Sequence, residues 1–330
     1  MTPATSSAVW VVIVTYCATP WIRPLLNSLR ASRTPVMTVV VDNASTDDTT
    51  GIISRDYPEV HLLAQEVNAG FGAGNNVGIE YALKRGARYV YLVNQDGSVP
   101  HDSIEKLLQV MEADPEIGIA TPLHCTANER QLDRKTYIGY LRNHAAEFFS
   151  DAALNQPIKP CYSIRGINAA AWFVRRRVFE RVGGFDPIFF MYGEDDDMIN
   201  RCAHHGERFV LVPGSRFIHL RGKSPQGGAD TFLTRVRKSR MLVRSQLIAR
   251  MKAPVTSLTH AIAIAISEGI LAPLQHVIIH RQYEDFFASC AACMSVLATD
   301  LPRLTRHRKR CEQTGATFLN LTPDRTTPPD

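Results

Sequence analysis

Short apolar runs recur along the first hundred residues, separated by longer mixed segments. Val9–Thr15, Met37–Asp42, Val60–Ala64 and Tyr89–Asn94 are rich in β-branched and aromatic residues and have the length of buried strands. Between them, Pro20–Ala31, Asp47–Tyr57 and Asn76–Arg85 carry helical patterns, with Pro20 near one start and Gly86 just past one end. This alternation predicts an α/β domain with a mostly parallel central sheet flanked by helices. In such sheets ligands bind beyond the carboxyl ends of the strands, so chemistry is expected where strands run out. Three of those ends are polar: Thr15-Tyr16-Cys17, Asp42-Asn43-Ala44-Ser45-Thr46-Asp47-Asp48 and Asn94-Gln95-Asp96-Gly97.

Farther along, an apolar stretch at Ala169–Val174 precedes a helical Arg175–Val182 closed by Gly183-Gly184. The acids Glu194–Asp197 open a helix running to His205, and Arg208–Val212 predicts another strand. From Phe232 onward apolar residues at 236, 243, 247 and 251 lie on one side of a helix, with Arg235, Lys238 and Arg244 off that stripe. Two further helices are expected in 255–300, and the Thr- and Pro-rich 312–330 is expected to be a loose tail. The predicted organisation is a catalytic domain over 1–224, a basic amphipathic helical region over 225–311, and that tail.

Composition narrows the class. The 330 residues are 45% hydrophobic and 21% charged, which excludes disorder and fibrous repeats. Leu258–Ile279 is the most apolar stretch, but His260, Glu268, Pro273 and His276 interrupt it, so no membrane-spanning helix is expected. Met1–Ala8 lacks a basic segment, and no signal peptide is expected. Seven scattered cysteines suit a reducing cytoplasm, and the one close pair, Cys290 and Cys293, is expected to be structural. The net charge of +5 hides an asymmetry: residues 216–310 hold 16 Lys/Arg against 5 Asp/Glu. That back region is suited to a polyanionic surface such as an anionic membrane, although a solvated face fits the charge equally well. The Arg306–Arg310 run lacks interleaved aromatics, so nucleic acid is not expected as a partner.

Two nucleotide-binding signatures fail. The run Gly70-Phe71-Gly72-Ala73-Gly74-Asn75-Asn76-Val77-Gly78 does not fit G-x-G-x-x-G in either register. Gly222-Lys223-Ser224 resembles the end of a P-loop, but its first glycine position is Phe217. What remains is a set of carboxylates and amides at strand ends. Asp96 is suited to hold a hard cation such as Mg2+ or Mn2+. Asp42 and Asn43 could exchange hydrogen bonds with a base or ribose. Asn68 and the glycines after it, Gly72 among them, would let backbone approach a ligand closely. In Glu194-Asp195-Asp196-Asp197, acids at a helix start serve as caps and favour the dipole, or like-charge neighbours raise one pKa for general-base work. His219 fits a core histidine or a ligand.

Val11-Val12-Ile13-Val14-Thr15-Tyr16, Val39-Val40-Val41-Asp42-Asn43-Ala44-Ser45-Thr46-Asp47, Asn68 through Gly78 and Leu92-Val93-Asn94-Gln95-Asp96 together resemble family 2 glycosyltransferases of the GT-A fold. The rhamnosyltransferase-like branch is the nearest in pattern. Phe185-Asp186-Pro187 through Met198 is similar to that branch's G-G-F-D…F-x-x-x-E-D-x-D block, and Ile218 through Ser224 to its closing segment. The resemblance spans about residues 9–224.

The resemblance implies roles for individual residues. Asp42 would bind base and ribose with Thr15, Tyr16 and Asn43 around it, and Asn68 and Asn75 would lie near the diphosphate-sugar. Asp96 would hold the metal, with Asn94 where a first acid often stands, and His219 would help. Asp195 would be the catalytic base, with Glu194 beside it. The implied reaction is an inverting transfer of a sugar from a nucleotide diphosphate donor, with rhamnose from dTDP-rhamnose the best match. The acceptor would be a hydroxyl of a glycan or lipid-linked acceptor in cell-surface polysaccharide synthesis. The expected place is the cytoplasm, peripheral to the membrane's inner face. Cys17 and Gly193 depart from the family's usual residues. A non-catalytic nucleotide-sugar-binding module is the rival reading. A sugar-1-phosphate nucleotidyltransferase is a weaker one, because Thr15–Thr19 has neither Gly nor a cation for a triphosphate. A homo-oligomer built on the apolar helix faces is open.

Overall fold

A computed structural model describes residues 8–220, 232–254, 257–271, 274 and 283–322. The strands are β1 (Val9–Thr15), β2 (Met37–Asp42), β3 (His61–Ala64), β4 (Tyr89–Asn94), β5 (Gly97–Ser98), β6 (Ile117–Thr126), β7 (Tyr162–Ile164), β8 (Ala171–Arg175) and β9 (Arg208–His219). They form one sheet in the order β3-β2-β1-β4-β8-β6-β9-β5, with β7 also on β9. β1 to β4 are mutually parallel and β6 is parallel to β9, while β8 runs antiparallel between β4 and β6. The mostly parallel α/β fold expected from the alternating pattern is present.

β1 shows why the strands are apolar throughout. Val9, Val11 and Ile13 pack into one core with α1 (Ile22–Arg30), α2 (Thr49–Asp56) and α4 (Ser103–Ala113). Trp10 and Val12 point the other way, into a core with α3 (Phe71–Lys84), α5 (Ala146–Ala153), α6 (Arg176–Arg181) and α7 (Glu194–His204). Successive side chains alternate faces, and a strand covered on both sides needs apolar residues at every position. On α1 the buried residues are Ile22, Leu25, Leu26 and Leu29, the spacing of one helical face.

Three readings of the sequence are corrected. Helix α3 begins at Phe71, not Asn76, so the glycine run is helical. A Cβ at Gly74 would meet Val14 at 2.8 Å and one at Gly78 would meet Val12 at 2.4 Å. Close packing of helix on strand therefore overrides poor helix propensity. β9 extends to His219 across an irregularity opposite Pro122/Leu123, beyond the predicted Val212. Residues 312–322, expected to be loose, are tied down. Gly184 N donates to Thr317 O at 2.8 Å, Asn320 N donates to Glu80 at 2.8 Å, and Leu319 and Leu321 join the core. The Gly222-Lys223-Ser224 segment, the proposed boundary at 224 and residues 323–330 lie outside the described residues.

The C-terminal region supplies α8 (Phe232–Lys252), α9 (Leu258–Ile266), α10 (Tyr283–Ser295) and α11 (Leu301–Cys311). Leu247, Ile248, Met251, Ala261, Cys293, Val296 and Leu304 bury a core that also takes Ile188 and Phe189 from the segment before α7. Cys290 and Cys293 are free thiols on α10. No helix among the described residues is long and apolar enough to cross a membrane.

Candidate active site

The loops after β1, β2 and β4 meet around a cavity of about 280 Å³ lined by Thr15, Tyr16, Trp21, Asn43, Asn68, Asn94, Gln95 and Asp96. Asp42 lies beneath this wall and is not among its lining residues. The carboxylate is 2% exposed and accepts from Thr15 Oγ1 at 2.8 Å, Ser45 Oγ at 2.5 Å and Ser45 N at 2.9 Å. Gln95 fixes the loop after β1, accepting from Tyr16 N at 2.8 Å and donating to Tyr16 O at 3.3 Å. Cys17 and Ala44 in these loops have φ of +50° and +59°, a left-handed conformation that L residues adopt at a cost.

Asn43 donates to Gly70 O at 3.0 Å, and Asn68 accepts from Gly70 N at 2.9 Å. Gly70 has φ +92°, and a Cβ there would sit 2.1 Å from Phe190 O, so only glycine allows this chain crossing. Gly72 and Asn75, expected near the diphosphate-sugar, are not among the lining residues of this cavity. Gly72 packs under Phe185, and the Asn75 amide turns back to Phe71 O at 3.0 Å.

β5 brings the next pair together, because Gly97 lies opposite His219 in an antiparallel bridge. The ring nitrogen Nε2 of His219 stands 3.2 Å from Asp96 Oδ1. His219 is 4% exposed, and its Nδ1 has no hydrogen-bond partner. A carboxylate oxygen beside an imidazole nitrogen is a donor pair that fits a divalent cation.

Across Asn94 lies a second cavity, of about 470 Å³, lined by Lys135, Thr136, Tyr140, Asn168, Tyr192, Glu194, Asp195, Asp196, Leu242 and Gln246 among others. Phe71, Asn94 and Met191 belong to both cavities, and the Asn94 Oδ1 is buried without a partner in their shared wall.

The four adjacent acids at the start of α7 have four environments. Glu194 is 6% exposed, and burial followed by repulsion from Asp195 raises its pKa to about 8. Asp195 keeps part of its surface on the cavity but is otherwise enclosed. Burial and then Asp196 raise it to about 6, although the Asp196 N–H donates to it at 3.0 Å. Burial also raises Asp196, opposed by the Tyr140 hydroxyl at 3.3 Å. Asp197 turns away from the cavity to pair with Arg201 at 2.9 Å and with Lys252. Glu194 and Asp195 are thus both raised by burial and by like-charged neighbours, and they titrate as an interacting pair.

Tyr140, Asn168, Leu242 and Gln246 escape a reading of the sequence because no motif marks them, and they reach the cavity from three separate segments. A signal did exist at Gly193, where the family tends to carry a larger residue. Gly193 has φ +84°, and a Cβ there would lie 2.8 Å from Ser245 O, so α8 is packed against the backbone just before the acids.

Comparison with known proteins agrees with this geometry. The profile described as Glycosyl transferase family 2 matches residues 10–183. A second, described as the N-terminal domain of galactosyltransferase, matches residues 153–223. The N-acetylglucosaminyl-diphospho-decaprenol L-rhamnosyltransferase of Mycobacterium tuberculosis is 30% identical over 237 residues, covering 65% of this chain and 76% of that protein. A dTDP-rhamnosyl transferase of Shigella flexneri is 28% identical, covering 66% of this chain and 70% of that protein. A mannosyltransferase of Pyrobaculum calidifontis, solved with GDP-Man and Mn2+, superposes with a TM-score of 0.52 at 20% identity, covering 92% of this chain and 79% of that one. The last likeness shows a shared GT-A-like fold.

Proposed function

Since the chain belongs to glycosyl transferase family 2, we propose that it is an inverting transferase carrying rhamnose from dTDP-rhamnose to a hydroxyl of a glycan or lipid-linked acceptor. The observation that carries this reading is the shared wall at Asn94, Phe71 and Met191: it sets Asp96 on one side and the raised carboxyl of Asp195 on the other. The rhamnosyl specificities named for the Mycobacterium and Shigella relatives support the choice of sugar.

In this reading the smaller cavity holds the nucleotide end of the donor between Tyr16 and Asn68, and the larger admits the acceptor. Asp96 and His219 would hold Mg2+ or Mn2+, which when bound neutralises charge on the departing diphosphate. Asn94 faces the reacting sugar from the wall. Asp195, ionised at neutral pH, takes the proton of the acceptor hydroxyl as that oxygen bonds the anomeric carbon from the side opposite the leaving group. One displacement inverts the centre. Glu194 is buried whereas Asp195 keeps surface on the cavity, which leaves Asp195 as the base. Asp195→Asn should lower the transfer rate by about 10²–10⁴-fold with nucleotide binding intact. Near-normal transfer by that variant refutes the role.

The site of action we propose is the surface of an anionic membrane. Phe287 and Met294 are 64% and 67% exposed on α10, and α11 exposes Arg303, Arg306, Lys309 and Arg310. Apolar area combined with positive charge binds such surfaces. Flotation with anionic vesicles should show binding that falls with salt, and no binding at low salt overturns it.

A further inference from the structure

Lys252, the last residue of α8, is fully buried, an expensive place for an ammonium unless it is paired. Its Nζ donates to Asp186 Oδ2 at 2.7 Å, to Asp197, and to Cys311 Sγ at 3.1 Å. Asp186, Asp197 and Cys311 are close enough to ligate a metal, but the ammonium hydrogen-bonds to all three and is itself the cation there. Arg201 completes the balance: two carboxylates face two permanent cations, with His307 Nδ1 2.7 Å from Asp186. Burial alone would raise the Asp186 pKa, but His307 and Lys252 hold it well below the usual carboxylate range.

The two acids that Lys252 joins bracket the catalytic loop. Asp186 sets its first turn, accepting from Ile188 N at 2.9 Å. Phe190 O then receives Phe71 N at 3.2 Å, Met191 and Tyr192 line the larger cavity, and Asp197 closes the first turn of α7 by donating its N–H to Gly193 O at 2.9 Å. Asp195 lies inside that bracket. The same helix also clasps the loop at Ser245, whose hydroxyl donates to Met191 O at 3.1 Å, and lines the cavity with Leu242 and Gln246. A buried ion pair is weak evidence for stability, since apolar residues often serve as well, but it fixes geometry where one arrangement is required.

We propose that Lys252 is a positioning residue of the transfer reaction: its ammonium ties Asp186 to Asp197 and thereby fixes the frame that presents Asp195 to the acceptor hydroxyl. The C-terminal helices are then part of the active site. This inference rests on Asp195 being the base.

The test compares Lys252→Met, the double variant Lys252→Met/Asp186→Asn, Asp195→Asn and Leu304→Ala, each with dTDP-rhamnose. Lys252→Met strands buried negative charge and should lose stability and activity together. The double variant removes one charge of each sign, keeps the Asp197–Arg201 pair, and should regain the melting temperature. Its kcat should nevertheless stay about tenfold to a hundredfold low, with KM for the donor unchanged, as expected for a misplaced base. Leu304→Ala loosens the same helical core without touching the network and should leave kcat within twofold. A double variant with wild-type kcat overturns the inference, because Lys252 would then only neutralise its neighbours. Asp195→Asn separates the two claims: if that variant transfers normally, the base assignment fails, whatever Lys252 does.

Discussion

The two cavities that share Asn94 are built in opposite ways. Most of the lining of the smaller one comes from the ends of β1, β2 and β4 and the turns that follow, so a few consecutive residues at each strand end supply most of its wall. The larger draws on 135–140, 168–170, 191–196 and α8, brought together only by folding. A site at the ends of parallel strands is set by topology, and its chemistry is local in sequence. A site closed by a second set of helices depends on packing, which leaves no local mark.

That difference can be tested from the largest effect downward. Asp96→Ala removes one of the two residues proposed to hold the cation and should cut transfer by about 10²-fold or more, a loss of several kcal/mol of charge stabilisation. It should also abolish any enhancement by Mn2+ of thermal stabilisation by dTDP, whereas Asp195→Asn should preserve it. If both variants lose that enhancement, the cavities are not functionally separate.

Leu242→Trp, 38% exposed in the wild type and aimed into the larger cavity, should raise the acceptor KM roughly tenfold, a little over 1 kcal/mol, without changing the donor KM. A donor effect of equal size would show that the two ligands do not occupy separate cavities.

Glu194→Gln should raise the melting temperature at pH 7. The folded-state pKa lies above the unfolded one, so the native state holds a proton the unfolded chain has released, and ionisation erodes stability as pH rises from about 4 toward 8. Below pH 4 both states are protonated and the gain should vanish. An equal gain at both pH values would point to packing instead of charge.

The smallest effect belongs to Cys17→Asn. Asn tolerates positive φ better than Cys, so urea unfolding should show a gain of about 0.5 kcal/mol.

Much of the first cavity was legible. Thr15, Tyr16, Asn43, Asn68, Asn94 and Asp96 stand on its wall because strand ends can be read from apolar runs and their polar terminators. Asp42 was placed correctly in the chain but lies one layer beneath, holding Thr15 and Ser45, a distinction that needs side-chain direction. The glycines at 74 and 78 pack against Val14 and Val12 and the one at 72 against Phe185, and close approach to a ligand selects the same residue as such tight packing. His219 reaches Asp96 only because β9 continues past its irregularity, which strand propensity does not reveal. The acid cluster announced itself by charge. Its division depends on burial at Glu194 and Asp195 and on distant partners for the other two: Tyr140, 56 residues before Asp196, and Lys252, 55 residues beyond Asp197. The tail at 312–322 read as loose because its anchors use its own backbone, Thr317 O accepting from Gly184 N and Asn320 N donating to the Glu80 carboxylate, and composition does not encode such contacts.

The central claim is that the enclosed carboxyl of Asp195 works as a base at neutral pH, and the pH dependence of kcat at saturating dTDP-rhamnose and acceptor tests it most directly. Because the active form is deprotonated and its pKa is raised to about 6, kcat should fall as pH drops through that value, with a unit slope. A kcat that stays flat down to pH 4.5 would contradict the account, since a base in that enclosure could not remain ionised there.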